Sequence, residues 1–192
     1  PLQKSEAVVL LQETKLTKHE MDLLVLSLEK KTGLSLIEDN GALRTRGMNP
    51  EGWSWWNPMG KFIRALLFLN CKTGSPTART LLGDSIASST VYRVRSNRDA
   101  NLGRVFRGKA IDLDFSDVNR LTFRDIPRET FDAGMIFLHE LVHLRERLTD
   151  PTLEEKKFNV DAKGDTVEYV NRIHRELSLP ERIHYFPKKS AA

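Results

Sequence analysis

Two histidines four positions apart, with a glutamate directly after the first, stand in the run Phe131 to Arg147: His139, Glu140, Leu141, Val142, His143. On a helix, positions four apart share a face, one turn from each other. Both imidazoles then reach one metal ion. Zinc suits such a place, being tetrahedral and content with nitrogen and oxygen ligands. Glu140 can reach a water at that ion and serve as its general base. The chemistry implied is hydrolysis, and the reading these residues support is a zinc-dependent peptidase with one zinc ion per chain.

The surroundings sharpen that reading. Ala133, Met135, Ile136, Phe137, Leu138, Leu141, Val142 and Leu144 make the run mostly apolar, so its helix is buried. Buried imidazoles and carboxylates are costly without partners, and a metal supplies them. The plain alternative is a core helix whose polar residues find ordinary hydrogen bonds, since so short a motif also arises by chance.

A catalytic zinc takes three protein ligands and keeps one position open for water. After His143 the candidates are Glu146, Asp150, Glu154, Glu155, Asp161, Asp165, Glu168, His174, Glu176 and His184. Glu146 follows by three positions, and a straight helix carries it past the metal. Glu168 lies on a separate helix that can return to face the first, which is similar to the helix-loop-helix arrangement of the gluzincin peptidases. It is the expected third ligand, with Asp165 and Asp161 as alternatives. A solvated surface glutamate is the ordinary reading of Glu168.

The composition is that of a soluble globular chain. Its 192 residues are 40% hydrophobic and 29% charged, enough for a real core in a single domain, 1–192, with flexible ends at 1–16 and 188–192. No apolar run is long enough to span a bilayer. The start, Pro1 to Glu13, lacks a basic-then-apolar leader pattern. The lone Cys71 excludes an internal disulfide and a cysteine zinc cage. Net charge is +4, which permits an acidic partner without demanding one.

The elements that must position the site follow from periodicity. Thr17 to Thr32 reads as an amphipathic helix with a Thr17–Glu20 capping box and Gly33 as its stop. Leu34 to Glu38 and Ala42 to Arg46 flank Asn40-Gly41 as a hairpin. Trp53, Trp55 and Trp56 lie in a Gly- and Pro-containing segment that either packs over the next helix, Met59 to Cys71, or forms a substrate surface. Ser75-Pro76 opens a helix with body Ala78 to Ala87. Thr90 to Arg95 alternates as a strand, and Ser96 to Lys109 reads as a loop. Ala110 to Phe115 is the clearest strand, with Ile111, Leu113 and Phe115 on one face and Asp112 and Asp114 on the other. After the motif helix, Pro151 to Asp165 reads as a loop. Asp165 or Thr166 caps a last helix, Val167 to Leu177, which Pro180 stops.

The chain resembles the effector-type zinc metallopeptidases of the NleD kind over roughly Leu66 to Tyr185. Three pieces carry the resemblance: the apolar run into His139-Glu140-Leu141-Val142-His143; Glu168-Tyr169-Val170-Asn171, where the family has an adjacent Glu-Asn pair; and Arg175-Glu176-Leu177-Ser178-Leu179-Pro180-Glu181-Arg182-Ile183-His184-Tyr185, with Ser178 where the family has glycine. The resemblance implies an α+β fold, a compact zincin-like domain with a small mixed sheet. It implies a protein substrate in a host cell and an enzyme secreted or translocated by a bacterium. Zincins run an edge strand antiparallel to the bound peptide, and Ala110 to Phe115 is placed for that role. Tyr185 is the first candidate to stabilise the oxyanion, with Arg182 and His184 behind it.

Two other functions compete. Arg93, Arg95, Arg98, Arg104, Arg107 and Lys109, interleaved with Tyr92 and Phe106, could bind nucleic acid, but Asp99 and Asp112 interrupt them and no recognised motif accompanies them. A zincin scaffold without catalysis, acting as a binding module, is the other. The intact His-Glu-x-x-His argues against it.

Overall fold

The computed structural model describes residues 9–10, 16–39, 42–45, 74–88, 90–108, 110–121, 126–151 and 164–182. Among the described residues, helices pack against one six-stranded mixed sheet, an α+β arrangement. Among the described residues no helix is long and apolar enough to cross a membrane.

The N-terminal elements form where local chemistry places them. Helix α1, Lys18–Thr32, begins at Thr17, whose hydroxyl accepts from Glu20 N–H while the Glu20 carboxylate accepts from Thr17 N–H. Both halves of the capping box are present. Gly33 ends it in the left-handed conformation at φ 69°. Strands β2, Leu36–Asp39, and β3, Ala42–Thr45, pair antiparallel with Asp39 opposite Ala42, so two residues join them as in a tight hairpin. Helix α2, Pro76–Ala87, carries Ser75 as its cap and proline at its start.

The sheet runs β2, β3, Val9–Leu10 (β1), Tyr92–Ser96 (β4), Ala110–Leu113 (β6) and Gly103–Phe106 (β5). Strand β1, Val9–Leu10, lies between β3 and β4, Tyr92–Ser96. The N-terminal stretch expected to be a flexible end therefore contributes to the sheet. Strand β6, Ala110–Leu113, runs parallel to β4 and antiparallel to β5, Gly103–Phe106. The segment expected to be a loop thus contains a strand. Its own signal is weak: a glycine start, one charged residue and a short length. Its partner β6 fixes it.

Strand β6 departs from expectation in two ways. It stops at Leu113, because Asp114 turns aside to cap a short helix α3, Phe115–Arg120, accepting from the N–H groups of Ser116 and Asp117. It also has a neighbour on each side, so it cannot be the open edge beside a bound peptide. Strand β5 is the edge strand of the described sheet on that side. The predicted alternation survives: Ile111 and Leu113 face the core, and Asp112 faces the other way. Yet Asp112 is fully buried, because arginines from both neighbouring strands close over it. Arg95 Nε donates to its Oδ1 at 2.6 Å, Asn97 to its Oδ2 at 2.9 Å, and Arg104 Nε to its Oδ2 at 3.3 Å. Burial pushes this carboxyl up, but those donors together hold it below the ordinary range.

The motif helix α4, Ala133–Arg145, is capped by Asp132, which accepts from Met135 N–H. Buried Lys31 of α1 pairs with the same Asp132 at 2.5 Å. Gly134 donates its N–H to Ser27 Oγ, so α1 and α4 lie in close contact. Phe137, Leu138, Leu141 and Val142 fill the core. Helix α5, Gly164–Glu176, begins earlier than expected, so Asp165 and Thr166 belong to its first turn rather than to a cap. Val167, Val170 and Ile173 are its buried stripe. Beyond it Ser178 adopts φ 56°, the left-handed turn that favours glycine. Met59 to Cys71, the Trp53 to Trp56 segment, Asp161, His184 and Tyr185 lie outside the described residues.

Candidate metal centre

Helix α4 sets His139 and His143 on one face, their ring centroids 5.0 Å apart and their planes at 80°. The chain then reverses. Glu146 still donates its N–H to Val142, but Arg147 takes φ 56° and ends the helical path. Leu148 returns beside the helix, and its carbonyl lies 2.7 Å from His143 Nδ1. A carbonyl only accepts, so Nδ1 carries the proton in that bond. This fixes the ring and turns Nε2 toward Asp150. Asp150 Oδ2 is 3.1 Å from His143 Nε2, and its Oδ1 is 3.6 Å from His139 Nε2. Thr166 Oγ1, from α5, stands 3.3 Å from His143 Nδ1.

His139, His143 and Asp150 thereby form a group that could hold a metal ion, with one donor atom from each residue all within 4.8 Å of one another. Two imidazole nitrogens and one carboxylate oxygen suit zinc and other borderline divalent metals. Burial depresses the His139 pKa, while the Asp150 carboxylate opposes this. Burial also opposes charge on His143, yet Asp150 and the Leu148 carbonyl raise its pKa on balance.

Glu140 projects from the same helix toward β5. Burial lifts its pKa to about 7, against the stabilising pull of the His143 and Arg182 charges and of the Val105 N–H. A carboxyl titrating near neutrality is suited to take and return a proton. Gly103 on β5 makes the approach possible: a Cβ there would lie 2.5 Å from Ile136 Cγ2 and 3.2 Å from Glu140 Oε1. A cleft opens at this point between β5 and α4, lined by Leu102, Phe131, Met135, Ile136, Val170 and Arg182 along with His139 and Glu140. Arg182 is held there by Asn171, a fully buried residue of α5. The Asn171 amide donates to Arg182 O at 2.9 Å and accepts from Arg182 N–H at 2.8 Å. The guanidinium lies 5.4 Å from the Phe131 ring centre.

The structure brings His139, Glu140 and His143 together, and Asp150 with them. It does not bring Glu168 there. Glu168 is on the exposed side of α5 and is not part of the cluster, and Asp165 is likewise exposed. The reason lies in the phase of α5, which turns Thr166, Val170 and Asn171 inward. Asp150 stood among the sequence candidates, but its approach depends on the reversal at Arg147, where no glycine or proline announces a turn. Asn171 and Gly103 join this face through packing that no local sequence pattern announces. Within Glu168-Tyr169-Val170-Asn171, Asn171 is buried and Glu168 is exposed.

Comparison with protein-family models, with curated proteins and with solved structures finds no match to this chain.

Proposed function

We propose that the chain is a zinc-dependent peptidase, with His139, His143 and Asp150 as the ligands and Glu140 as the general base. The observation that carries this is the Asp150 carboxylate facing both imidazoles beside a buried glutamate. Zinc in that place would supply a Lewis acid for the scissile carbonyl and a water acidified toward neutrality. Glu140 takes the proton of the attacking water and returns it to the leaving amine. The Leu148 carbonyl keeps His143 in the ligating tautomer. The wall of β5 and α4 side chains excludes bulk water from Glu140 and keeps its affinity for a proton high.

The substrate in this reading is a protein segment. The Leu102 carbonyl accepts from Asp114 N–H, so alternate residues of β5 face β6, and Gly103 and Val105 turn their backbone groups to the other side, where the Val105 N–H meets the Glu140 carboxylate. No described strand occupies that side. An extended peptide adding there would pass the cleft and Glu140. The resemblance to NleD-type effector peptidases, with their zincin fold, their host-protein substrates and their export from a bacterium, is part of the same proposal. Tyr185 keeps its proposed role at the oxyanion.

Elemental analysis of the purified chain tests the ligand set. One zinc per chain is expected in wild type and in Glu168→Ala, and little in His139→Ala, His143→Ala or Asp150→Ala. Glu140→Gln is expected to keep zinc and lose cleavage of a peptide library. Zinc lost from Glu168→Ala but kept in Asp150→Ala would reverse the assignment.

A further inference from the structure

The outer face and the turn of β5 are basic. Even-numbered residues of β5 share a face with Asp112, and there Arg104 pairs across to Asp112 while Phe106 lies in the same row. Arg95 reaches over from β4, its guanidinium 4.3 Å from the Phe106 ring centre, and Arg107 covers the same ring at 5.0 Å. Arg104 is 44% exposed despite its bond to Asp112, and Arg107 is exposed. One buried carboxylate is thus shared by two arginines, and Arg107 adds a third cation beside them. Arg107 also sits at φ 51°, in a turn where asparagine or glycine would be the relaxed choice. On the inner side of the same strand, Arg182 lines the cleft beside His139, Glu140 and the apolar Phe131 and Ile136.

We infer that the segment this chain binds and cuts is an acidic peptide, an inference that rests on the peptidase reading above. In an added strand successive side chains point to opposite faces. One set would meet Arg104 and Arg107 along the outer rim. The other set would enter the cleft, where the Arg182 fork can take a carboxylate against the Phe131 wall. That carboxylate comes from an aspartate or glutamate side chain, or from a free C-terminus. Cations on both sides of one strand favour a chain whose charge alternates to both faces. They favour it over a phosphate backbone, which would have no use for the inner cation or for the strand's hydrogen-bonding edge.

The test uses the full chain carrying Glu140→Gln, with binding read by fluorescence anisotropy. The probes are a labelled ten-residue Asp/Glu-rich peptide, its Asn/Gln twin, the acidic peptide with an amidated C-terminus, and a single-stranded oligonucleotide of equal charge. The acidic peptide is expected to bind at least tenfold more tightly than its twin. That preference should shrink several-fold in Arg107→Gln and in Arg182→Gln, and also on raising salt. Arg182→Lys should restore part of the preference if the fold is intact. A loss on amidation assigns the Arg182 partner to a free C-terminus, and no loss assigns it to a side chain. Equal binding of the twin, or displacement of the peptide by the oligonucleotide, overturns the inference. So does cleavage of a peptide library by wild type with no acidic preference, which would leave the peptidase reading standing. Selective acidic binding without zinc or cleavage would keep the docking surface and remove the peptidase.

Discussion

His174 shows how much a single residue can hold. It is fully buried on α5, and burial drives its pKa down to about 4, helped by the positive charges of Arg182 and Lys31. A histidine depressed in the folded state binds its proton more readily when the chain unfolds, with an unfolded value near 6.5. Folding stability contributed by the neutral ring is therefore complete above about pH 6.5 and is lost as pH falls toward 4. The lost stability amounts to at most about 3 kcal/mol for a shift of this size. Urea midpoints measured from pH 4 to 7 should fall steeply with acid in wild type. In His174→Leu they should be flatter over that window; an unchanged slope would place the acid sensitivity elsewhere. Arg147 offers the opposite case. It is exposed and held at φ 56°. Arg147→Gly should relieve the left-handed strain, offset in part by a looser unfolded chain, for a net gain of about 0.5 to 1 kcal/mol. Its zinc content should match wild type, since the turn that delivers Asp150 is kept. A drop in zinc would mean that the arginine side chain itself supports the site.

Elements here owe their places to close backbone approaches as much as to apolar faces. Gly103 lets β5 lie against α4, and the nearest obstacles to a Cβ are the Ile136 methyl and the Glu140 carboxylate. Gly103→Ala should cost about 1 to 3 kcal/mol of stability by overpacking. Because Glu140 is one of the groups displaced, cleavage should suffer more, on the order of a hundredfold for a displacement near 1 Å. Equal small losses in both would show that the helix yields without moving Glu140. The same elements show what sequence could and could not reveal. Helices α1, α2 and α4 and the β2–β3 hairpin were legible because caps, glycine stops and Asn40-Gly41 act within a few residues. Strand β5 was not, since its register comes from Arg104 lying opposite Asp112 and Val105 opposite Ile111. Helix α5 starts before the expected cap, Asp165 or Thr166, because Gly164, at φ 75°, carries the turn into it. His139, Glu140 and His143 were legible from spacing alone. Asp150 needed the reversal at Arg147, which is a property of packing and not of local composition.

At the scale of the molecule, the candidate metal centre draws on separate parts of the chain. His139 and His143 belong to α4, Asp150 to the returning segment, and Thr166, which stands at His143, to α5. An ion held by the folded chain and not by the unfolded one adds its binding free energy to stability. Free zinc at one hundred times its dissociation constant contributes about 2.7 kcal/mol. For a chain of this length that corresponds to a rise of roughly 5 to 10 °C in Tm. Calorimetry of chelator-treated protein, before and after zinc is returned, should show that rise in wild type and in Glu168→Ala. It should be nearly absent in Asp150→Asn, which keeps the shape of the carboxylate and removes its charge. Glu140→Gln should rise at least as far as wild type, because it leaves the ligands in place and relieves a buried carboxyl of its ionisation. If instead Asp150→Asn responds fully, the reversal at Arg147 serves the fold alone, and the third ligand lies beyond the residues gathered at this face of α4.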